Sequence, residues 1–172
     1  MENMFVAVFD SEHQARDASR ALDALHEADT IGLNASAIIT KTKGGAITVV
    51  QARRIAPEGA LGATALGTLI GMLAGPVGLA VGAATGLAIG ATAHLFDTQV
   101  ERGFLAEVER ALEPGRSALV AQIYEKVTGP VNERIAALGG RVFRRALSDV
   151  ADEQYEKNVA MAKRRIRGGR HV

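Results

Sequence analysis

Phe5-Val6-Ala7-Val8-Phe9, closed by Asp10-Ser11, is the stretch that decides the fold. An apolar run of β-formers bounded by turn residues reads as a buried strand. Ser11 with Gln14 three residues on reads as a capping box, so a helix starts there. Ala15, Ala18, Leu22 and Leu25 then recur on one face of that helix. It is expected to end near Ala28, ahead of Gly32. Two β-type runs follow, at residues 35–42 and 46–53, around Lys43-Gly44-Gly45, and Gly-Gly between such runs signals a hairpin.

The same grammar returns near the other end. Thr98 and Glu101 form a second capping box, opening a helix with Val100, Phe104, Leu105, Val108 and Leu112 on its apolar side. Pro114-Gly115 ends it. Residues 117–124 read as a strand. Thr128-Gly129-Pro130 opens a short helix with Val131, Ile135 and Leu138 inside, where Pro130 suits the first turn. Gly139-Gly140 closes it, and residues 141–147 form the last strand. A final helix from about Asp149 carries Ala151, Tyr155, Val159, Ala162 and Ile166 on one stripe, acidic at its start and basic at its end.

Two strand–helix–strand units on one antiparallel sheet predict an α+β fold: a ferredoxin-like sandwich of two βαβ units with helices on one face. The expected division is residues 1–56 for the first unit and its hairpin strand and 57–97 for an inserted helical hairpin. Residues 98–148 hold a helix and the second unit, and 149–172 a basic C-terminal helix and tail.

The insertion is the unusual part. From Gly59 to Phe96 there is no Asp, Glu, Lys or Arg, and nine of the 38 residues are Gly and ten Ala. Gly59, Ala63, Gly67, Gly71 and Gly75 are four apart, as are Gly78, Gly82, Gly86 and Gly90. Four-residue spacing puts small residues along one helical face. Gly75-Pro76 divides the segment into two arms, with Leu61, Leu66, Leu69, Ile70, Met72 and Leu73 on other faces of the first. A glycine inside a helix costs about 0.5–1 kcal/mol relative to alanine. Close approach of helix backbones is the usual compensation, and small-xxx-small stripes serve it in lipid. The arms measure roughly 25 and 30 Å, marginal against the ~30 Å hydrocarbon core of a bilayer. Three settings follow: a membrane, a soluble oligomer with hairpin packed on hairpin, or the core of the domain itself. The first two require self-association through the nine stripe residues.

Composition bounds the rest. The chain has 172 residues, 20 basic and 19 acidic side chains and a net charge of +1. That gives no long-range field to steer a charged partner. With no cysteine there are no disulfides, thiolate metal sites or cysteine nucleophiles. The first residues carry no export signal, so the α+β part is expected on the cytoplasmic side. His13, His26, His94 and His171 show no metal-ligand spacing. His13 and His26 read as solvated on the first helix. His94 extends the second stripe by one step, either as a cap on the hairpin or as a pH-sensitive residue between subunits. Phosphate-loop, dinucleotide and nucleophile-elbow motifs are absent. No catalytic residue, cofactor or metal is expected. The one charge concentration is Lys163, Arg164, Arg165, Arg167 and Arg170. It reads as a solvated helix end, or as a contact for anionic lipid; nucleic acid is disfavoured for want of interleaved aromatics.

The order of these pieces resembles a known family. The residues that carry the likeness are Gly59-Ala60-Leu61-Gly62, the Gly-Pro-broken stripe, Leu112-Glu113-Pro114-Gly115-Arg116-Ser117-Ala118-Leu119, and Gly139-Gly140-Arg141-Val142 leading into Ala146-Leu147-Ser148. Over about residues 4–150 the chain resembles the bacterial domain of unknown function 1269 family. Its N-terminal unit also resembles general stress protein 17M-like proteins. The resemblance implies membrane association and a stress role, and it supplies no catalytic residues.

The leading expectation is therefore a non-enzymatic, self-associating, stress-related protein at the inner membrane. A soluble cytoplasmic assembly, such as a ring, shell or cargo-like particle, is the alternative. A regulatory ferredoxin-like module, its small-molecule ligand left open, is a further one. An enzyme ranks behind all three.

Overall fold

The computed structural model describes residues 2–55, 66–67, 69–74 and 99–146. The opening apolar run lies in β1 (Glu2–Phe9). Ser11 then caps α1 (Glu12–Glu27), its hydroxyl oxygen accepting from the Gln14 backbone N–H at 3.3 Å. The Gln14 side chain does not close the capping box on the backbone. It accepts from the Ser11 hydroxyl at 2.9 Å and donates to the Leu138 carbonyl at 3.1 Å. After α1 come β2 (Ile31–Lys41) and β3 (Ile47–Arg54). Helical residues 66–67 and 69–74 form α2. Then follow α3 (Gln99–Ala111), β4 (Ser117–Glu125), α4 (Gly129–Ala137) and β5 (Arg141–Ala146).

The five strands form one antiparallel sheet in the order β3-β2-β4-β1-β5. β1 and β4 are its inner strands together with β2. Both faces of the sheet are covered. On one, Phe5, Ala7, Phe9, Leu119, Ala121 and Ile123 pack with Ala15, Ala18, Leu22 and Leu25 of α1 and with Val131 and Ile135 of α4. On the other, Met4, Val6, Val8, Ala118, Val120 and Phe143 pack with Leu66, Leu69 and Ile70 of α2 and with Val108, Ala111 and Leu112 of α3. Helices were expected on one face. The second layer forms because alternate residues of β1 and β4 are apolar in both directions, so the second face also needs a cover.

α1 ends at Glu27 with Ala28 as its C-cap, ahead of Gly32 as expected, but β2 begins at Ile31 rather than at residue 35. Gly32 pairs with Tyr124 of β4, whose Cβ would lie 3.2 Å from a Cβ added at Gly32. It is a close-approach glycine inside a strand. A bulge between Leu33 and Ala35 follows at once. The Lys43-Gly44-Gly45 hairpin closes through Thr42. Its carbonyl accepts from Gly45 N–H at 2.9 Å and its N–H donates to the Ala46 carbonyl at 2.8 Å. Gly45 supplies the φ of +87° that the turn needs.

The Glu113-Pro114-Gly115-Arg116 segment is a structural joint. Gly115 N–H donates to the Lys41 carbonyl at 2.7 Å, and Lys41 N–H to the Arg116 carbonyl at 2.9 Å. At the end of α3 the Ala111 carbonyl accepts from the Arg116 guanidinium at 3.1 Å and also from the Glu113 N–H at 3.0 Å. So one short segment stops α3, starts β4 and pins the end of β2.

Gly140 sits where α4 meets β1. A Cβ there would lie 2.4 Å from Phe9 Cε1 and 2.6 Å from Ile135 Cγ2. Both neighbours are fully buried. Gly140→Ala is expected to cost about 1–3 kcal/mol by overpacking, read as a lowered urea midpoint with an unchanged slope.

Candidate functional site

Of the stripe residues, Gly67 and Gly71 lie on α2. Gly59, Ala63, Gly75, Gly78, Gly82, Gly86, Gly90, His94 and the basic Lys163, Arg164, Arg165, Arg167 and Arg170 lie outside the described residues. The leucine side of α2 is in the domain's core: Leu66, Leu69 and Ile70 are buried, and Leu73 and Ala74 pack against them. Burying such a side chain is worth about 1.5–3 kcal/mol, and each glycine costs about 0.5–1 kcal/mol. The sheet therefore offsets the glycine cost of α2 without any second helix. Nothing lies within 4 Å of a Cβ added at Gly67. Among the described residues, no contact requires glycine at that position.

Polar side chains converge at the end of the sheet where β1 begins and β4 ends. On the α1–α4 face, Glu125 is fully buried and Arg144 partly so, with side chains 1% and 19% exposed. Arg144 Nε donates to Glu125 Oε1 at 2.5 Å and Nη2 to Oε2 at 3.3 Å. Arg144 Nη1 donates to Asn132 Oδ1 at 2.7 Å, and Asn3 Nδ2 to Glu125 Oε1 at 3.3 Å. The guanidinium also stands 5.2 Å from the centroid of the Phe5 ring. A carboxylate and a guanidinium thus join β4, β5, β1 and α4.

On the α2–α3 face the same end carries Glu2, Asn34, Gln122 and Arg145. Glu2 Oε1 accepts from Gln122 Nε2 at 2.6 Å and from Asn34 Nδ2 at 2.8 Å. Gln122 is buried. Tyr124, next on this face of β4, is exposed.

This polar end was not read from the sequence. Its residues sit singly in different strands, and pairing alone assembles them. A local signal existed: Gln122 interrupts the run Ala118-Leu119-Val120-Ala121 before Ile123. His13 is exposed and faces Asp17 at 3.1 Å, whereas His26 is half-buried rather than solvated. Its Nδ1 lies 3.2 Å from the Ile31 carbonyl and 3.4 Å from Leu33 N, against the start of β2. Among the described residues no group of three or more His, Asp or Glu is placed to hold a metal ion. Among the same residues no helix is long and apolar enough to cross a membrane.

A family model described as protein of unknown function (DUF1269) matches residues 60–160. The chain belongs to the DUF1269 family. The DUF1269 match takes in α2, α3, β4, α4 and β5 and begins after β3. Residues 4–59, including the part that resembles general stress proteins, lie outside it. No curated protein and no solved structure matches the chain.

Breaking a buried ion pair leaves one charge uncompensated, at a cost of about 3–5 kcal/mol. Arg144→Met is expected to lose that much, and the Glu125→Met/Arg144→Met double variant less than the single one. Urea unfolding of the two variants checks both statements.

Proposed function

We propose that this DUF1269 protein is a non-enzymatic, self-associating protein that works at a membrane surface. In this reading the glycine-rich segment is a helical hairpin whose small-residue stripe packs against other copies of the chain. The observation that carries it is the orientation of α2. Its leucine side is seated on the sheet, while the Gly67 position is open. A glycine with nothing within 4 Å among the described residues, in a four-residue repeat, leaves room for a neighbour from outside the chain. The rigid seat would hold the stripe in a fixed direction, which lowers the ordering cost of association.

The frame is read as a ferredoxin-like sandwich. Support comes from the order β2-β4-β1-β5, with β3 as an added edge strand, and from α1 and α4 sharing one face. The charge-free stretch between Gly59 and Phe96 supports placement at the inner membrane, with the sheet on the cytoplasmic side and the basic residues 163–170 against anionic lipid. A stress-related role rests on the resemblance of the N-terminal unit alone.

The burial of Leu66, Leu69 and Ile70 in the domain favours a second setting. Apolar residues of the first arm that already sit on the sheet are not offered to lipid. That suits a soluble particle assembled through the same stripe.

Gly67→Ala meets no clash and should raise the stability of the folded domain by about 0.5–1 kcal/mol. Gly67→Leu combined with Gly82→Leu should dissolve the assembly while the sheet signal in far-UV circular dichroism persists. Light scattering on the soluble and detergent-extracted fractions reads the outcome. Full-size assemblies of the double variant would sink the proposal, and the fraction holding the wild-type assembly decides between membrane and particle.

A further inference from the structure

β3 is one edge of the sheet and β5 the other. The two edges are built differently. β5 carries Arg141, Arg144 and Arg145 within six residues, and charge on an edge strand blocks pairing with another chain. β3 carries no charge from Ile47 to Ala52. Its backbone is also open on the outer side. Thr42 N–H donates to the Ala46 carbonyl at 2.8 Å, and Thr40 pairs with Thr48. Antiparallel partners alternate between hydrogen-bonded and non-hydrogen-bonded pairs. Ala46 and Thr48 therefore bond back to β2, while Ile47 and Val49 point their N–H and C=O groups outward. Lys41, opposite Ile47, shows the same phase, because its own N–H and C=O bond to Arg116 and Gly115 on its other side. Val49 and Val50 are only half-buried. Val49 packs against the core on the α2–α3 face and Val50 against the core on the α1–α4 face.

We propose that β3 is an interface between two copies of this chain, paired antiparallel about a twofold axis through Thr48. That register sets Ile47 against the partner's Val49, and Val49 against the partner's Ile47. All four residues face outward, so each pair exchanges two backbone hydrogen bonds. Thr48 stands opposite the partner's Thr48, a favourable cross-strand pair, and Ala46 opposite the partner's Val50. A register shift follows at once: Ile39 pairs with Val49 but Ile38 with Gln51, so Val50 is an extra residue and ends the regular ladder.

Self-complementarity selects a second copy over a foreign strand. A twofold contact sets one patch against itself, and residues 46–50 meet that demand: apolar side chains oppose apolar ones and threonine opposes threonine. Beyond Ala52 the first charge is Arg53, which Asp23 of α1 already holds at 2.6 Å. Lys43 lies in the hairpin turn, outside the ladder. The pairing would cover the half-buried Val49 and Val50 and extend both cores across the axis. It uses none of the stripe residues, so it stands apart from the stripe contact. A chain with two separate self-contacts builds assemblies larger than a dimer.

The chain has no cysteine, so a single introduced one reports the contact. In a non-hydrogen-bonded antiparallel pair the Cα atoms lie about 4.5 Å apart, within the span of a disulfide. The test is oxidation of the full-length Thr48→Cys variant with oxidised glutathione, read by non-reducing electrophoresis. Thr48 is exposed, and so is Arg141 on the β5 edge, which serves as the control. Thr48→Cys should form a disulfide-linked dimer about tenfold faster or more than Arg141→Cys, because pairing holds its thiols at high effective concentration. Adding Val49→Pro, which removes an outward N–H and no bond to β2, should abolish that advantage. If the proline variant fails to fold, the comparison of the two cysteines decides alone. The comparison is repeated with Gly67→Leu and Gly82→Leu present, which removes the stripe contact. A Thr48→Cys rate no faster than that of Arg141→Cys overturns the proposal. So does an advantage that survives in a folded Val49→Pro variant, or one that disappears with the stripe.

Discussion

β1 and β4 lie side by side in the sheet, and seven consecutive residues of each are buried. Such strands have no face to give to water. A sheet built on them needs a layer of helix on each side, and the rest of the architecture follows from that need. α1 and α4 come from within the two strand–helix–strand units and cover one side. Neither unit contains a helix for the other side. That cover is taken from the long connection between β3 and β4, where α2 and α3 reside. The segment that looks like an insertion is thus partly a structural layer of the domain.

This changes what the glycine repeat means. Glycines in a helix demand compensation, and helix-on-helix contact is the obvious source. For residues 66–74 the compensation is visible in Leu66, Leu69 and Ile70 under the sheet. On the glycine side Gly71 is buried, while nothing among the described residues lies within 4 Å of a Cβ added at Gly67. A helix with one face committed to a sheet and the other smooth resembles a half-finished interface. Because the committed face fixes the helix, the Gly67 position cannot rotate inward onto the sheet.

Much of the frame was legible in the residues. The strand runs, the Ser11 cap, the Gly45 turn and the Pro114-Gly115 stop rest on local sterics and hydrogen bonding, which a short window contains. The first four residues of β2 were hidden because glycine is a poor strand former, and only Tyr124 on β4 shows why Gly32 fits there. The face taken by Leu66 and Ile70 was ambiguous for a similar reason. An apolar side of a helix fits lipid, another helix or a sheet equally well, and the choice belongs to tertiary packing. The polar end was hidden more thoroughly. Glu2, Asn34, Gln122 and Arg145 are far apart in the chain and become a group only through register.

The contrast between the two faces of that end argues that its polarity is not incidental. On the α1–α4 side the charges are closed on themselves: Glu125 and Arg144 form a two-point pair, and Asn3 and Asn132 take further positions. On the α2–α3 side, a few ångströms through the same sheet, Glu2 is held by two amides while Gln122 and Arg145 each keep a buried atom unmatched. Both sides bury comparable polar groups, so desolvation alone does not explain the difference. A folded domain has a margin of only about 5–15 kcal/mol, and two orphaned atoms at about 1–3 kcal/mol each take a real share of it. A methionine at position 122 would remove one orphan at little change in volume. Glutamine at that position fixes the Glu2 carboxylate through its Nε2, a hydrogen bond that methionine would lose.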